Sequence, residues 1–258
     1  MSTMTLFFFA ALLGICFGSL LNMVICRLPR MIKRQAEAGY NLWQPRSHCP
    51  HCGHVLACYD NIPLLSWLIL RGNCRFCSHA ISYRYPLVEL SSMLLCMLMA
   101  ALLPTGGTLI AAWTLVWLLL ALALIDIEHQ LLPDLLTIPL LWLGMLFQIL
   151  HWLPHISLPQ SVIGALSGYL MLWLLAQGYR WLRGKDALGM GDAKLLAALG
   201  AWLGWQALPL LLLLASGSSL IWLCTSHLLY RRPLTTPFPF GPGLASAGLI
   251  LFIIGNAG

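Results

Sequence analysis

Charge is what this chain has least of. Only 9% of its 258 residues are Asp, Glu, Lys or Arg, and only eight of those are acids. A soluble domain carries about 25% charged residues, so an ordinary water-facing globule is excluded. Also missing are a P-loop, a Gly-x-Gly-x-x-Gly following a strand, and any Ser and His set out as a nucleophile elbow or hydrolytic triad. Those absences remove nucleotide-driven and serine-hydrolase chemistry. No internal repeat or low-complexity tail is evident, which argues against a solenoid or a disordered arm. What fills the chain is apolar: 60% of residues are hydrophobic and the mean hydropathy is +0.83. That composition belongs to a protein crossing the bilayer several times.

A hydrocarbon core about 30 Å thick needs about 20 apolar residues per helix. Eight stretches approach that length: 4–26, 86–103, 107–126, 133–152, 160–181, 191–205, 207–230 and 237–256. The expected fold class is therefore an all-α membrane protein of about eight transmembrane helices. Its expected parts are a first helix (1–27), a polar loop domain (28–85) and a transmembrane domain (86–258). The first span lacks a basic leader region, and Arg27 and Arg30 follow it, so it reads as a retained helix and not a cleaved signal.

Orientation follows from the cations. With alternating spans, all 14 Lys and Arg fall on one side or within about a turn of it, and the opposite connections near 104–106, 153–159 and 206 hold none. The positive-inside rule makes the charged side cytoplasmic and puts the N-terminus outside. The net charge of +6 then reflects topology and contact with anionic membrane lipids, not nucleic-acid binding.

The polar region carries Cys49-Pro50-His51-Cys52 and Cys74-Arg75-Phe76-Cys77, with 21 residues between the pairs. Two C-x-x-C pairs at such a spacing predict a four-thiolate zinc site, each tight turn supplying two ligands. Disulfides are the competing reading, but a cytoplasmic loop keeps its thiols reduced. Four Cys leave no open position for water, so the zinc is expected to be structural. The nearby histidines at 48, 51, 54 and 79 are expected at the surface or around the ligands. Asn61-Ile62-Pro63-Leu64-Leu65-Ser66-Trp67-Leu68 lies between the pairs. Glu89, about a turn inside the second span, could pair with Arg84, meet a basic substrate or favour its helix N-terminus. Gly18, Ser19 and Asn22 in the first span suit close helix packing.

Two acids are harder to place. Asp126 continues an unbroken apolar run, Ala123-Leu124-Ile125, and so falls inside the membrane border. Asp192 stands in Gly189-Met190-Gly191-Asp192-Ala193-Lys194, where a glycine-broken segment turns apolar. Alone, Asp192 could be a helix cap or a functional acid. Both acids are expected at one depth, one ending a span and the other beginning one. Two facing carboxylates cannot both ionise cheaply and tend to share a proton, which is the aspartic-protease arrangement. A proton relay in a transporter is the rival, but such sites usually lie near the bilayer midplane, whereas here the middles of the spans are apolar. Glu128, His129 and Asp134 fall in the short turn between two spans, and Pro237 to Gly243 cannot begin as regular helix.

Gly189-Met190-Gly191-Asp192 matches the G-x-G-D motif of membrane aspartyl proteases. Further matches are Gly18 to Asn22 with Arg27-Leu28-Pro29, the paired Cys motifs, Asn61-Ile62-Pro63 with Ser66-Trp67-Leu68, and Arg71 to Arg75. Arg84 to Glu89, Asp126 with Leu132-Pro133-Asp134, and Pro239-Phe240-Gly241-Pro242 complete the set. Across nearly its whole length the chain resembles the bacterial prepilin peptidase (type IV leader peptidase) family. The resemblance implies an inner-membrane endopeptidase acting on the basic leaders of type IV prepilins or type II secretion pseudopilins. It implies Asp126 and Asp192 as the catalytic pair and Cys49, Cys52, Cys74 and Cys77 as zinc ligands. It also implies that the enzyme is bifunctional, methylating the new N-terminus with S-adenosylmethionine, and it assigns no residue to the methyl donor.

Overall fold

A computed structural model describes residues 2–33, 40–49, 51–184, 189–230 and 238–256. Nine α-helices occur among them, and no strand beyond two isolated bridges. A helix occupies each of the eight apolar stretches, which are α1 (Thr3–Ile32), α3 (Arg84–Leu102), α4 (Gly107–His129), α5 (Asp134–Ile149), α6 (Leu158–Arg183), α7 (Met190–Leu203), α8 (Leu208–Tyr230) and α9 (Gly241–Asn256). The ninth, α2 (Leu65–Ile69), is a single turn in the polar region. Five helices are long and apolar enough to cross a membrane, and α5 and α9 are shorter apolar helices. At 14 residues, α7 is about 21 Å long, well short of the hydrocarbon thickness. The chain divides into two compact units, Met1–Ala101 and Leu102–Gly258.

In the first unit α1 begins at the N-cap Ser2, whose hydroxyl accepts from the Thr5 N–H. It runs past the expected end near residue 26 to Ile32, with Pro29 inside its last turns, where its missing N–H leaves one intrahelical bond unmade. Gly14 and Gly18 let it approach α3 closely. A Cβ on Gly14 would lie 2.6 Å from Met93 Cα, and one on Gly18 would lie 2.7 Å from Glu89 Cα. The buried Ser92 hydroxyl donates to Gly14 O (2.7 Å), and Asn22 Nδ2 donates to Tyr85 O (2.9 Å). The small residues and the amide of α1 therefore serve packing, as in other membrane helix pairs. Arg27 Nη1 donates to Leu42 O (3.0 Å) and holds the start of the loop.

Glu89 is buried, and its Oε2 accepts the Leu64 N–H at 2.8 Å. Its job is thus to tie the loop to α3. Leu64 is one of the few non-glycine residues with positive φ (58°), so this bond sits where the backbone is strained.

In the second unit α7 is the central element, with Leu195, Leu196, Leu199 and Trp202 fully buried. Its closest neighbour is α6. A Cβ on Gly164 or Gly200 would fall on the other's carbonyl, so both positions must stay bare for the backbones to meet. The Ser161 hydroxyl donates to Ala201 O across the same contact, at 2.6 Å. On the other side Trp202 Nε1 donates to Leu140 O of α5 (2.8 Å), and its ring packs edge-on against Phe147 and Phe252. A helix walled in by α5, α6 and α9 can be shorter than the bilayer because protein, not lipid, meets its ends.

Candidate active site

Asp126 lies in the last turn of α4 and is 5% exposed. Its carbonyl accepts from the Gln130 N–H (2.9 Å) as the chain leaves the helix in a left-handed turn. Its carboxylate is held from α9: the buried Gly241 N–H donates to Oδ2 at 2.8 Å. The Phe240-Gly241-Pro242 sequence explains why that donor is available. Gly241 is the first helical residue, so its N–H has no partner within the helix, and Pro242 next to it has no N–H at all. One amide at the positive end of α9 is thereby aimed at an anion site. It must belong to glycine, because a Cβ there would sit 2.7 Å from Oδ2 and 3.1 Å from Cγ of Asp126. The helix begins inside the Pro237–Gly243 stretch, at Gly241, because Pro242, with its fixed φ and no N–H to satisfy, suits a first turn.

Asp192 is in the first turn of α7 and is half-buried. Its own N–H bonds to Gly189 O (3.1 Å), closing the turn. The helix makes no side-chain cap bond, so Asp192 sits at a helix start without working as its cap. It lies close enough to Asp126 for the two charges to act on each other. Two carboxylates carried by α4 and α7 are thus brought together, each beside the positive end of a helix. Lys194, one residue beyond Ala193, pairs with both oxygens of Asp134 (2.7 and 2.8 Å). Asp134 opens α5 after Pro133 and spends its charge on that pair and not as a cap. Neither this pair nor the Gly241 amide was anticipated in sequence. The Gly-Pro dipeptide was the available signal for the amide.

The thiols form a second, separate cluster. Cys49, Cys52, Cys74 and Cys77 offer four Sγ atoms all within 4.8 Å of one another. Two equivalent hairpins build it. Cys49 N–H donates to His54 O and Cys74 N–H to His79 O, both at 2.9 Å. Gly53 and Ser78 take positive φ at matching places, and bridges join His48 to Val55 and Asn73 to Ala80. The shared pattern, Cys-x-x-Cys-(Gly/Ser)-His, is visible twice in the sequence once the hairpins are known. His51 and His79 stack with ring centroids 4.1 Å apart, leaving the sulfurs as the inward groups.

The cluster is electrostatically ready for a cation. The amides of Cys52 and His51 hold the Cys49 thiol down, at about 6. At Cys77 the His79 amide pulls the same way, but desolvation and the sulfurs of Cys74, Cys52 and Cys49 outweigh it and push the thiol up to about 11. Four thiolates cannot coexist at this range without a metal. Cys49 and Cys77 Sγ are 3.8 Å apart, about the edge of a tetrahedron with metal–sulfur bonds of about 2.3 Å. The donor set therefore fits a metal ion such as zinc.

The Bacterial Peptidase A24 N-terminal domain matches residues 12–103, and the Type IV leader peptidase family matches residues 113–224. Curated relatives named prepilin leader peptidase/N-methyltransferase are similar along nearly the whole chain. The one from Aeromonas hydrophila is 48% identical, over 95% of this chain and 90% of its own length. The Pectobacterium carotovorum subsp. carotovorum protein is 47% identical, over 94% and 91%. The one from Burkholderia pseudomallei (strain 1026b) is 43% identical, over 96% and 85%. No solved structure is significantly similar to the chain. A polytopic helical protein with paired acids, a thiolate cluster and relatives of this kind along nearly all its length belongs to the type IV leader peptidase family.

Proposed function

We propose that this chain is an intramembrane aspartyl endopeptidase that removes the basic leader from type IV prepilins or type II secretion pseudopilins, and that it N-methylates the N-terminus so exposed. The observation that carries the cleavage half is the meeting of Asp126 and Asp192 across α4 and α7, with the Gly241 amide on one of them. A shared proton lets one carboxylate take a proton from water while the other donates its own to the scissile carbonyl; the first then passes the proton it gained to the leaving amine. The Gly241 bond occupies Oδ2 of Asp126, leaving Oδ1 for water.

The charge map supports a cytoplasm-facing site in the bacterial inner membrane. A prepilin would keep its apolar helix in the bilayer and its cationic leader outside it, so that the scissile bond lies at the depth of the acids. Glu89, which accepts the Leu64 amide, and Glu128, which lies beside His129, are the acids that would meet that leader. The loop 28–85 would be a cytoplasmic module stapled by zinc on Cys49, Cys52, Cys74 and Cys77, and 86–258 the peptidase domain. Zinc held by four thiolates supplies folding energy and no catalytic water. Methylation rests on the relatives' names, with S-adenosylmethionine as donor.

The test is incubation of the purified chain with a panel of prepilins and labelled S-adenosylmethionine, read by mass spectrometry. Leader loss and label on the new N-terminus are expected. Cleavage that persists in Asp126→Asn or Asp192→Asn would remove the catalytic assignment.

A further inference from the structure

The connection between α4 and α5 does more than turn the chain. Gln130 reverses direction in the left-handed region (φ 51°), and two residues later Leu132 lies against two glycines from different helices. A Cβ on Gly191 would lie 2.9 Å from Leu132 Cβ and 3.4 Å from its Cδ1. A Cβ on Gly241 would lie 3.2 Å from Leu132 Cδ2. The stem of this one side chain therefore rests on the residue before Asp192, and its tip rests on the residue whose amide holds Asp126.

We propose that Leu132 is a positioning residue which, wedged between Gly191 and Gly241, sets the separation of the Asp126 and Asp192 carboxylates. This inference rests on the catalytic pair proposed above. Leu132 has no polar atom and touches no reacting group, so it acts only through spacing. The other contacts between these elements are weaker spacers. Helices α7 and α9 also meet where Gly248 lies against Leu199, but Leu199 is further along α7, away from the carboxylates. The Asp134–Lys194 pair does join the α5 start to the first turn of α7, but its side chains are 55% and 38% exposed. Such a pair is screened and yields readily, whereas a branched side chain packed against backbone does not. Spacing matters here because two carboxylates share a proton effectively only at close range, and a displacement of about 1 Å costs about 100-fold in rate.

The test uses the full-length protein with a prepilin substrate. Leu132→Ala should lower kcat for leader cleavage by about 10- to 100-fold with KM within about 2-fold, and Leu132→Met should recover most of it. The bell-shaped pH–rate profile should narrow in Leu132→Ala, because a looser pair couples its protons less. Loss of packing alone would not change that width. Gly191→Ala, whose new methyl would meet Leu132 Cβ at 2.9 Å, should impair cleavage alone and regain activity when combined with Leu132→Gly, which removes that Cβ. This second route keeps the test decisive if Leu132→Ala folds poorly. An unchanged kcat and bell width in Leu132→Ala, or no mutual rescue in the double variant, would overturn the wedge. Activity retained in Asp126→Asn or Asp192→Asn would instead overturn the catalytic pair itself, so the two failures are distinguishable.

Discussion

The thiolate cluster and the aspartate pair solve the same problem in opposite ways. Each gathers acidic side chains closer than their charges would tolerate. The thiols are gathered by local backbone, two short hairpins with matching Cys-to-His hydrogen bonds, and a cation would relieve the repulsion. The carboxylates are gathered by helix packing, from elements distant in sequence, and a shared proton would relieve theirs. A metal fixes a site and closes it, whereas a proton can move. The first arrangement suits a staple and the second suits chemistry.

The largest expected effect falls on the proton-sharing region alone. Asp126→Asn or Asp192→Asn should lower leader cleavage by about 1,000-fold or more while leaving bound metal unchanged. A parallel loss of metal would mean that the two regions are not independent. Next comes the reverse break. Changing the four Cys to Ser should release the metal and expose the loop to protease, since structural zinc sites in finger peptides contribute on the order of 10 kcal/mol. Hydrogen exchange in α7 should stay as slow as before, and a metal assay finding none in the starting protein would refute the staple. The wedge at Leu132 follows, with the intermediate loss described above.

Acidity separates the regions more finely. The Cys49 thiol lies at about 6 and Cys77 at about 11, so at neutral pH metal binding must displace protons. Affinity should rise with pH through the neutral range and fall steeply once pH drops below about 6, where Cys49 also holds its proton. Competition against a chelator across that range measures it, and a flat profile would argue against thiolate ligation. The smallest effect is expected from Lys194→Met or Asp134→Asn. An ion pair this exposed is worth about 1 kcal/mol or less in a melting experiment.

How much was legible beforehand differs between the regions for the same physical reason. The C-x-x-C pairs announce a cluster because their ligands are two residues apart and the turn does the rest. The eight apolar stretches announce helices because membrane burial is a one-dimensional property of composition. Helix ends were less legible: α1 continues through Pro29 to Ile32, and α9 starts within a Pro-Gly stretch that looked irregular. Glu89 offered three roles in sequence, and the structure shows a fourth, acceptance of a strained backbone amide. Gly164 and Gly200 gave no sign of each other, since a glycine's partner depends on which helix crosses it.

By itself, then, the sequence determined the environment and the chemistry on offer: a bilayer protein, four clustered thiols, and two acids out of place in apolar runs. Cost explains this, because an acid in an apolar run is expensive wherever the chain folds. Tertiary structure alone decided that α9 would present the Gly241 amide to Asp126, that Leu132 would sit between two glycines, and that Lys194 would find Asp134. Those are matters of which surfaces meet, and they depend on helix crossings made possible by missing side chains.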